Sequence, residues 1–284
     1  MATGKIPAIT QKQVVSFLSP RPLDSHKGQF GTVAVIGGDS GMIGAALLAG
    51  RAALKLGAGC VHLGLLADDA PAVDMQQAEL MLNTVQAVLQ LPELDVLAIG
   101  CGMRKSLRAH KILHDALKLE SILVLDADAL NLLAARPDLR SMLVMRKAHS
   151  VMTPHPGEAA RLLGISTEEV QSNRPEALRA LTARFNCSVV LKGANTLCGN
   201  RTGSIWINHS GNPGMSGPGM GDVLSGMLAA FLAQGLSTDE AMQLAVHLHG
   251  AAGDALAQQQ ASIGMTATEV TEWSRWLLNQ WLKN

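Results

Sequence analysis

Tyrosine is absent from the 284-residue chain, and aromatic residues of every kind make up only 3% of it. That shortage argues against the stacking platforms on which single-stranded nucleic acids and sugars are held. An excess of charge is missing too, because 23 Lys+Arg face 23 Asp+Glu. A neutral chain leaves no electrostatic footprint for nucleic acid or for an anionic membrane, and neither partner is expected. The four cysteines, Cys60, Cys101, Cys187 and Cys198, form no CxxC pair and no Cys/His metal spacing. Three of them lie in or beside apolar runs, which reads as a reduced cytoplasmic chain with buried thiols, not a disulfide scaffold. No apolar segment of signal-peptide length opens the sequence. No run reaches the roughly 18 apolar residues of a membrane span, Val223–Leu236 being the best and too short. A Walker motif, GxxxxGK[ST], is also absent.

What is present is aliphatic: 48% hydrophobic residues, 13 Met and 28 Gly. Short apolar runs alternate with segments of helix length. Thr32–Ile36, Cys60–Leu66, Val96–Ile99, Ile122–Asp126, Ser150–Met152 and Ser188–Leu191 read as strands, the first five apolar on both faces as a buried parallel sheet requires. Ile43–Leu56, Arg104–Leu119, Ala129–Ala135 and Glu176–Phe185 read as helices between them. Thr196–Leu197 and Ser204–Ile207 flank a GNRTG turn and predict a hairpin-like edge. Three helices, Gly219–Gln234, Thr238–Gln258 and Thr266–Leu282, close the chain. The rhythm predicts an α/β fold, a mostly parallel sheet with helices on both faces. Without a linker or repeat, residues 1–284 read as one domain. Trp273, Trp276 and Trp281 mark the last helix as one that packs on its own domain or on a second subunit.

The richest chemistry lies in Asn212-Pro-Gly-Met-Ser-Gly-Pro-Gly-Met-Gly-Asp222. Its glycines leave backbone N–H groups open to an anion, and the helix behind them points its positive end the same way. Pro218 has no N–H, so Gly219, Met220, Gly221 and Asp222 are the remaining donors. A carboxylate beside an anion hole repels phosphate. Asp222 is better suited to removing a proton from a hydroxyl that attacks a phosphoryl group held there. Val189-Val-Leu-Lys-Gly-Ala-Asn-Thr196 delivers Lys192 to a strand end, where it either meets a nucleotide phosphate or is simply solvated. In Thr153-Pro-His-Pro-Gly-Glu158, two prolines stiffen His155, which either meets a ligand from this strand end or is a structural histidine. Val33–Ala45 runs strand, glycine turn, helix, but its spacing is not G-x-G-x-x-G, so it suits a backbone-lined pocket better than a dehydrogenase site. Asp126 and Asp128 at one strand end either hold Mg2+ through water or cap the next helix. His110 and His114 read as solvated. His247 and His249 fall on different helix faces, and no metal site is inferred from histidines.

Together GTVAVIGGDSGMIGA, LDADALNLL, TPHPGEAARLLG, VVLKGANT and GNPGMSGPGMGDVLSG resemble the ADP/ATP-dependent NAD(P)H-hydrate dehydratases, a branch of the ribokinase-like fold, over nearly the whole chain. The resemblance implies that ADP or ATP drives dehydration of (6S)-NADHX or NADPHX to NADH or NADPH through a phosphorylated intermediate. It makes Asp222 the catalytic base and Gly219, Met220 and Gly221 the anion hole. It matches Ala45, Gly102, His155 and Asp222 to the hydrate, and Lys192, Gly193, Ala194, Asn195, Thr196 and Gly221 to the adenine nucleotide. Mg2+ is expected for charge neutralisation, with no ligand set legible. A homo-oligomer such as a tetramer is implied as well. Many relatives carry a fused epimerase, for which about 200 further residues are needed, and none is expected here. Three departures stand out: Ser216-Gly217-Pro218 before the base, Gly100-Cys-Gly102 where relatives often have Gly-Pro-Gly, and Met42-Ile43 where some relatives carry an aromatic nearby. The competing readings are a ribokinase-like kinase of a small vitamin or sugar alcohol, and a nucleotide-binding regulator without turnover.

Overall fold

The computed structural model describes residues 6–283. Nine strands form one sheet: β1 (Thr32–Gly37), β2 (Cys60–Leu65), β3 (Met81–Asn83), β4 (Val96–Ile99), β5 (Ile122–Leu125), β6 (Ser150–Met152), β7 (Ser188–Leu191), β8 (Thr196–Gly199) and β9 (Ile205–Asn208). Their order is β3-β2-β1-β4-β5-β6-β7-β8-β9. All neighbours pair parallel up to β7, and β8 and β9 add an antiparallel edge. All six expected strands are present, each ending within a residue of its expected limit, and the hairpin edge is real. Met81–Asn83 was not anticipated, being three residues of a partly exposed edge with no alternation to read.

Among the described residues twelve α-helices connect and cover the sheet: α1 (Gln11–Val15), α2 (Ile43–Lys55), α3 (Val85–Leu89), α4 (Leu107–Ala116), α5 (Ala127–Ala135), α6 (Pro137–Met145), α7 (Pro156–Leu163), α8 (Thr167–Ser172), α9 (Arg174–Phe185), α10 (Met220–Ala233), α11 (Thr238–Gln259) and α12 (Ala267–Trp281). Alternate residues of each strand serve opposite faces. On β1, Val33 and Val35 join the core under α2, α10 and α11, while Ala34 and Ile36 join the core under α4, α5, α7 and α9. This is the expected sheet with helices on both faces. The last tryptophans pack as expected: Trp281 is buried beside His247, and Trp273 meets Trp276 edge-on.

α10 is apolar almost all round, so it must lie inside. Val223, Leu224, Met227, Leu228, Phe231 and Leu232 are all buried, each worth about 1.5–3 kcal/mol relative to exposure. Its close fit on α2 depends on Gly226, where a Cβ would run into the Ala49 carbonyl. The first turn of α10 is thereby fixed over the sheet.

The strand order reverses between β1 and β4, and ligands of such sheets bind at the carboxyl ends beside that reversal. The register aligns these ends on one rim, through Ile36 with Ile99, Ile99 with Leu125 and Leu125 with Met152.

Candidate active site

All five of the segments singled out in the sequence converge on that rim. At the switch point the turns after β1 and β4 are tied together: the Gly38 N–H donates to the Cys101 carbonyl at 2.9 Å and the Asp39 N–H to Gly102 at 2.8 Å. Gly102 lies directly against Met42 and Ala45 at the start of α2. Ala45 and Gly102 are therefore neighbours, Gly102 buried and Ala45 partly exposed. Cys101, between the two glycines, turns inward and is fully buried.

The glycine-rich loop delivers α10 to the same place. Gly219 precedes the helix with φ +85°, a left-handed conformation, and a side chain there would strike Leu48. Met220, Gly221 and Asp222 form the first turn, whose N–H groups have no acceptor within the helix. Asp222 points to Cys101 and Asp126, with ligand-capable atoms of all three within 4.8 Å of one another. Burial pushes its carboxyl up to about 6, helped by the Asp126 charge and opposed by the Cys101 thiol and Lys192. A base with that value is ionised at neutral pH yet still basic enough to take a proton.

Asp126 and Asp128 part company. Ala127 turns through φ 47°, which a residue with a Cβ adopts rarely, and the two carboxylates leave in different directions. Asp128 accepts from the Arg104 N–H at 2.8 Å and from Asn131 at 3.2 Å. Asp126 turns inward, its side chain capping no helix. It accepts from Lys192 Nζ at 2.7 Å and from Ser225 Oγ of α10 at 2.8 Å. Neither the paired-carboxylate reading nor the capping reading of Asp126 holds, because a strand 66 residues further on supplies a cation in contact with it. Lys192 is accordingly not a solvated strand-end lysine. Burial pulls its ammonium down, but the carboxylates of Asp126 and Glu158 outweigh that and hold it above its ordinary value.

His155 stands beside this pair, since the Lys192 N–H donates to the Pro154 carbonyl at 2.9 Å. Its Nδ1 accepts from the Gly157 N–H at 3.0 Å, and its own N–H donates to Glu158 at 2.8 Å. Burial, Lys192 and Arg161 hold the imidazole below its usual value, so it is neutral at pH 7. Burial drives the Glu158 carboxyl up to about 7. Of the other histidines, His110 pairs with Asp138 at 2.9 Å instead of standing free in solvent.

On the far side of Gly221 opens a cavity of about 580 Å3. Lys192, Gly193, Ala194, Asn195 and Thr196 line it from the turn between β7 and β8, and Met220 and Gly221 line it from α10. Gly219 is not among its lining residues and faces α2 and α12. His249 of α11 also lines the cavity, its Nε2 buried and without a partner among the described residues, its ring held by burial at about 4. In the sequence His249 was weighed only as a metal ligand and given no role, because α11 mixes polar and apolar residues and carries a second histidine, His247, two positions earlier.

The comparisons with known proteins agree with one another. The family model described as NAD(P)H-hydrate dehydratase matches residues 33–275. The chain belongs to the NAD(P)H-hydrate dehydratase family. It is 40% identical over 268 residues to the ADP-dependent (S)-NAD(P)H-hydrate dehydratase of Neisseria meningitidis, covering 93% of this chain and 90% of that one. It is 40% identical to the bifunctional NAD(P)H-hydrate repair enzyme of Coxiella burnetii, with 94% of this chain matched to 54% of that enzyme. The chain thus spans about half the length of its bifunctional relatives. The ADP/ATP-dependent NAD(P)H-hydrate dehydratase of Bacillus subtilis, crystallised with ATP and Mg2+, superposes with a TM-score of 0.86 over 99% of this chain and all of that one, at 28% identity. A ribokinase-like superfamily protein of Enterococcus faecalis superposes at 0.84, with 26% identity over all of this chain and 99% of that one. The fold of this dehydratase is the ribokinase-like one.

Magnesium is tested by the donor set. Cys101, Asp126 and Asp222 make one three-residue group among the described residues with ligand spacing. A thiol is a poor ligand for a hard cation, and Asp126 is already engaged by Lys192 and Ser225. The group does not fit a resident Mg2+.

Proposed function

We propose that this chain uses ADP or ATP to dehydrate (6S)-NADHX and NADPHX to NADH and NADPH. The observation that carries the reading is the place of Asp222. Gly221, the residue before it, walls the cavity that begins at Lys192, while Cys101, which it faces, is followed by Gly102, packed against Ala45. A base at that junction has a phosphoryl donor on one side and a hydroxyl on the other.

In this reading Lys192–Thr196 and Gly221 hold the nucleotide, which enters with its own Mg2+ as substrate. The N–H groups of Met220 and Gly221, at the positive end of α10, receive its terminal phosphoryl group, and Gly219 shapes the turn that presents them. Ala45, Gly102 and neutral His155 contact the hydrate. Asp222 removes the proton of the 6-hydroxyl as that oxygen attacks phosphorus, and the bond to the nucleotide's leaving oxygen breaks. The ring nitrogen's lone pair then expels phosphate from C6, and loss of a proton from C5 restores the dihydropyridine. Phosphate leaves far more readily than hydroxide, which is why a kinase fold serves a dehydration. The reading extends to a cytoplasmic homo-oligomer. Free buried thiols, and Trp276 exposed beside Trp273 on α12, support it, and no helix among the described residues is long and apolar enough to cross a membrane.

The test is a hydrate-recovery assay run separately with ADP and ATP, following dihydropyridine absorbance and released phosphate. Recovery with stoichiometric phosphate supports the dehydratase. A stable phosphorylated product without phosphate release indicates a kinase, and nucleotide binding without turnover indicates a regulator.

A further inference from the structure

We propose that Asp126 is a positioning residue that braces the reacting centre, holding the Lys192 ammonium against the nucleotide cavity with one oxygen and the first turns of α10 with the other. The role rests on the function proposed above, which makes Asp222 the base and Lys192 a nucleotide contact.

The geometry is a three-point clamp. Asp126 follows β5, Lys192 follows β7 and Ser225 lies on α10, so three elements distant in sequence meet at one carboxylate. Both oxygens are used, Oδ1 by Lys192 at 2.7 Å and Oδ2 by Ser225 at 2.8 Å. Ser225 is three residues beyond Asp222 and so shares its helix face. Fixing that hydroxyl fixes the rotation of α10, and with it the direction of Asp222. Asp126 and Ser225 are buried, so neither bond competes with water. Gly221 shows how close the clamp lies to the chemistry: a Cβ there would stand 3.1 Å from Lys192 Nζ and 3.6 Å from Asp126 Oδ2. Any side chain at 221 would stand over the ion pair and shield it from the phosphoryl group. The backbone spends strain to aim this residue, since Ala127 is one of four described non-glycine residues with positive φ. One of the others, Asn195, lines the cavity beside Lys192.

The clamp has an electrostatic side. Lys192, Cys101, Glu158 and His155 are the other ionisable groups around Asp126 and Asp222. The Asp126 charge keeps Asp222 basic, and it neutralises part of the lysine charge that would otherwise bind polyphosphate harder. Removing it therefore favours nucleotide binding while harming the reaction, the opposite of what general loosening of the fold does.

The experiment uses the full chain and the variants Asp126→Asn, Asp126→Glu and Ser225→Ala. The readouts are MgADP affinity by calorimetry, the carboxyl titration of Asp222 by carbon NMR, and kcat and KM in the hydrate assay. Asp126→Asn is expected to bind MgADP as tightly as wild type or several-fold tighter, to titrate Asp222 at lower pH, and to lose about 10-fold or more in kcat. Asp126→Glu restores the charge but not the position: it keeps the high Asp222 titration and still loses kcat. Ser225→Ala loses about 3- to 10-fold in kcat with MgADP affinity unchanged. Wild-type kcat in Ser225→Ala overturns the brace and decides the matter alone if the Asp126 variants do not fold. An unmoved Asp222 titration in Asp126→Asn, or MgADP binding weakened in step with stability, overturns it as well. Calorimetry and titration need no hydrate, so they judge the brace even if the wild-type protein fails to turn the hydrate over.

Discussion

Two buried aspartates in this molecule have almost the same surroundings by distance and exposure, and opposite consequences. Asp74 meets Arg51 at 2.6 Å and Asp126 meets Lys192 at 2.7 Å, with the cation 18% and the carboxylate 3% exposed in both pairs. The Arg51 pair is closed. Its guanidinium reaches both oxygens of Asp74 and also Gln76, whose own N–H donates to Asp74. With every strong direction used, Arg51 holds the Asp74 carboxyl below its ordinary value and the loop before β3 is pinned to α2. The Lys192 pair is open. An ammonium has three donors, of which Asp126 takes one, and two further carboxyls crowd in, Asp222 pushed up to about 6 and Glu158 to about 7. Equal burial yields a structural clamp where the donors match the acceptors, and a reactive cluster where they do not.

The largest effect comes from the open pair's neighbour. Asp222→Asn keeps the side chain's shape and removes its basicity, so hydrate turnover is expected to fall by about 10²–10⁴-fold. The denaturation midpoint should not fall with it, because burial no longer works against a charge there. Turnover that survives the substitution removes Asp222 from the role of base and with it the contrast between the two pairs.

The closed pair should behave in reverse. Asp74→Asn leaves the Arg51 charge without its partner and is expected to cost about 3 kcal/mol of stability in urea titrations. Turnover per folded molecule should stay unchanged, since nothing in the reacting cluster touches this pair. A fall in kcat at constant stability breaks the division between structural and reactive pairs.

Glu158 sharpens the comparison through pH. Its folded carboxyl sits near 7 against 4.5 for the ordinary group. The native state therefore holds a proton that the unfolded state gives up. Its contribution to stability is full below pH 4.5 and is lost as pH rises through about 7. Asp74 has the opposite sign, its lowered value giving stability that is lost only as pH falls into the acid range. Comparing urea midpoints near pH 5 and near pH 8, Glu158→Gln should flatten the decline by about 1–3 kcal/mol. An unaltered slope means that the Glu158 carboxyl is ionised in the fold.

Most of the scaffold was legible in the chain, because buried parallel strands are continuous apolar runs and Thr32–Gly37 or Ile122–Leu125 have no other reading. So was the convergence of loops, since a parallel sheet sends the ends of β1, β4, β5, β6 and β7 to one rim. Pairing across the rim was not legible. Nothing in LDADALN tells which aspartate turns inward; that depends on the left-handed Ala127 and on a lysine delivered by β7. Gly219 carries a backbone demand that the chain does not spell out, since a glycine in a loop and a glycine held at φ +85° look identical in sequence. Short, partly exposed elements such as β3 and α1 escaped for lack of any period to follow.

The smallest effect tests the thiol that the open cluster holds and the closed pair lacks. Cys101 is fully buried beside Asp222, and its own thiol is pushed far up by burial and by the charges of Asp222 and Asp126. It stays protonated, and as a donor it draws the Asp222 carboxyl down from where burial alone would set it. The acid limb of kcat/KM should fall near pH 6, where the base gains its proton and the rate declines toward lower pH. In Cys101→Ala the ionised form loses its donor, so the limb should move upward by about half a pH unit, roughly a 3-fold loss on the acid side with the alkaline plateau unchanged. Cys101→Ser keeps a donor in the same position and should leave the limb near its wild-type place. A limb that stays fixed in the alanine variant, or moves toward lower pH, means that burial and Asp126 alone set the base and that the thiol is only packing.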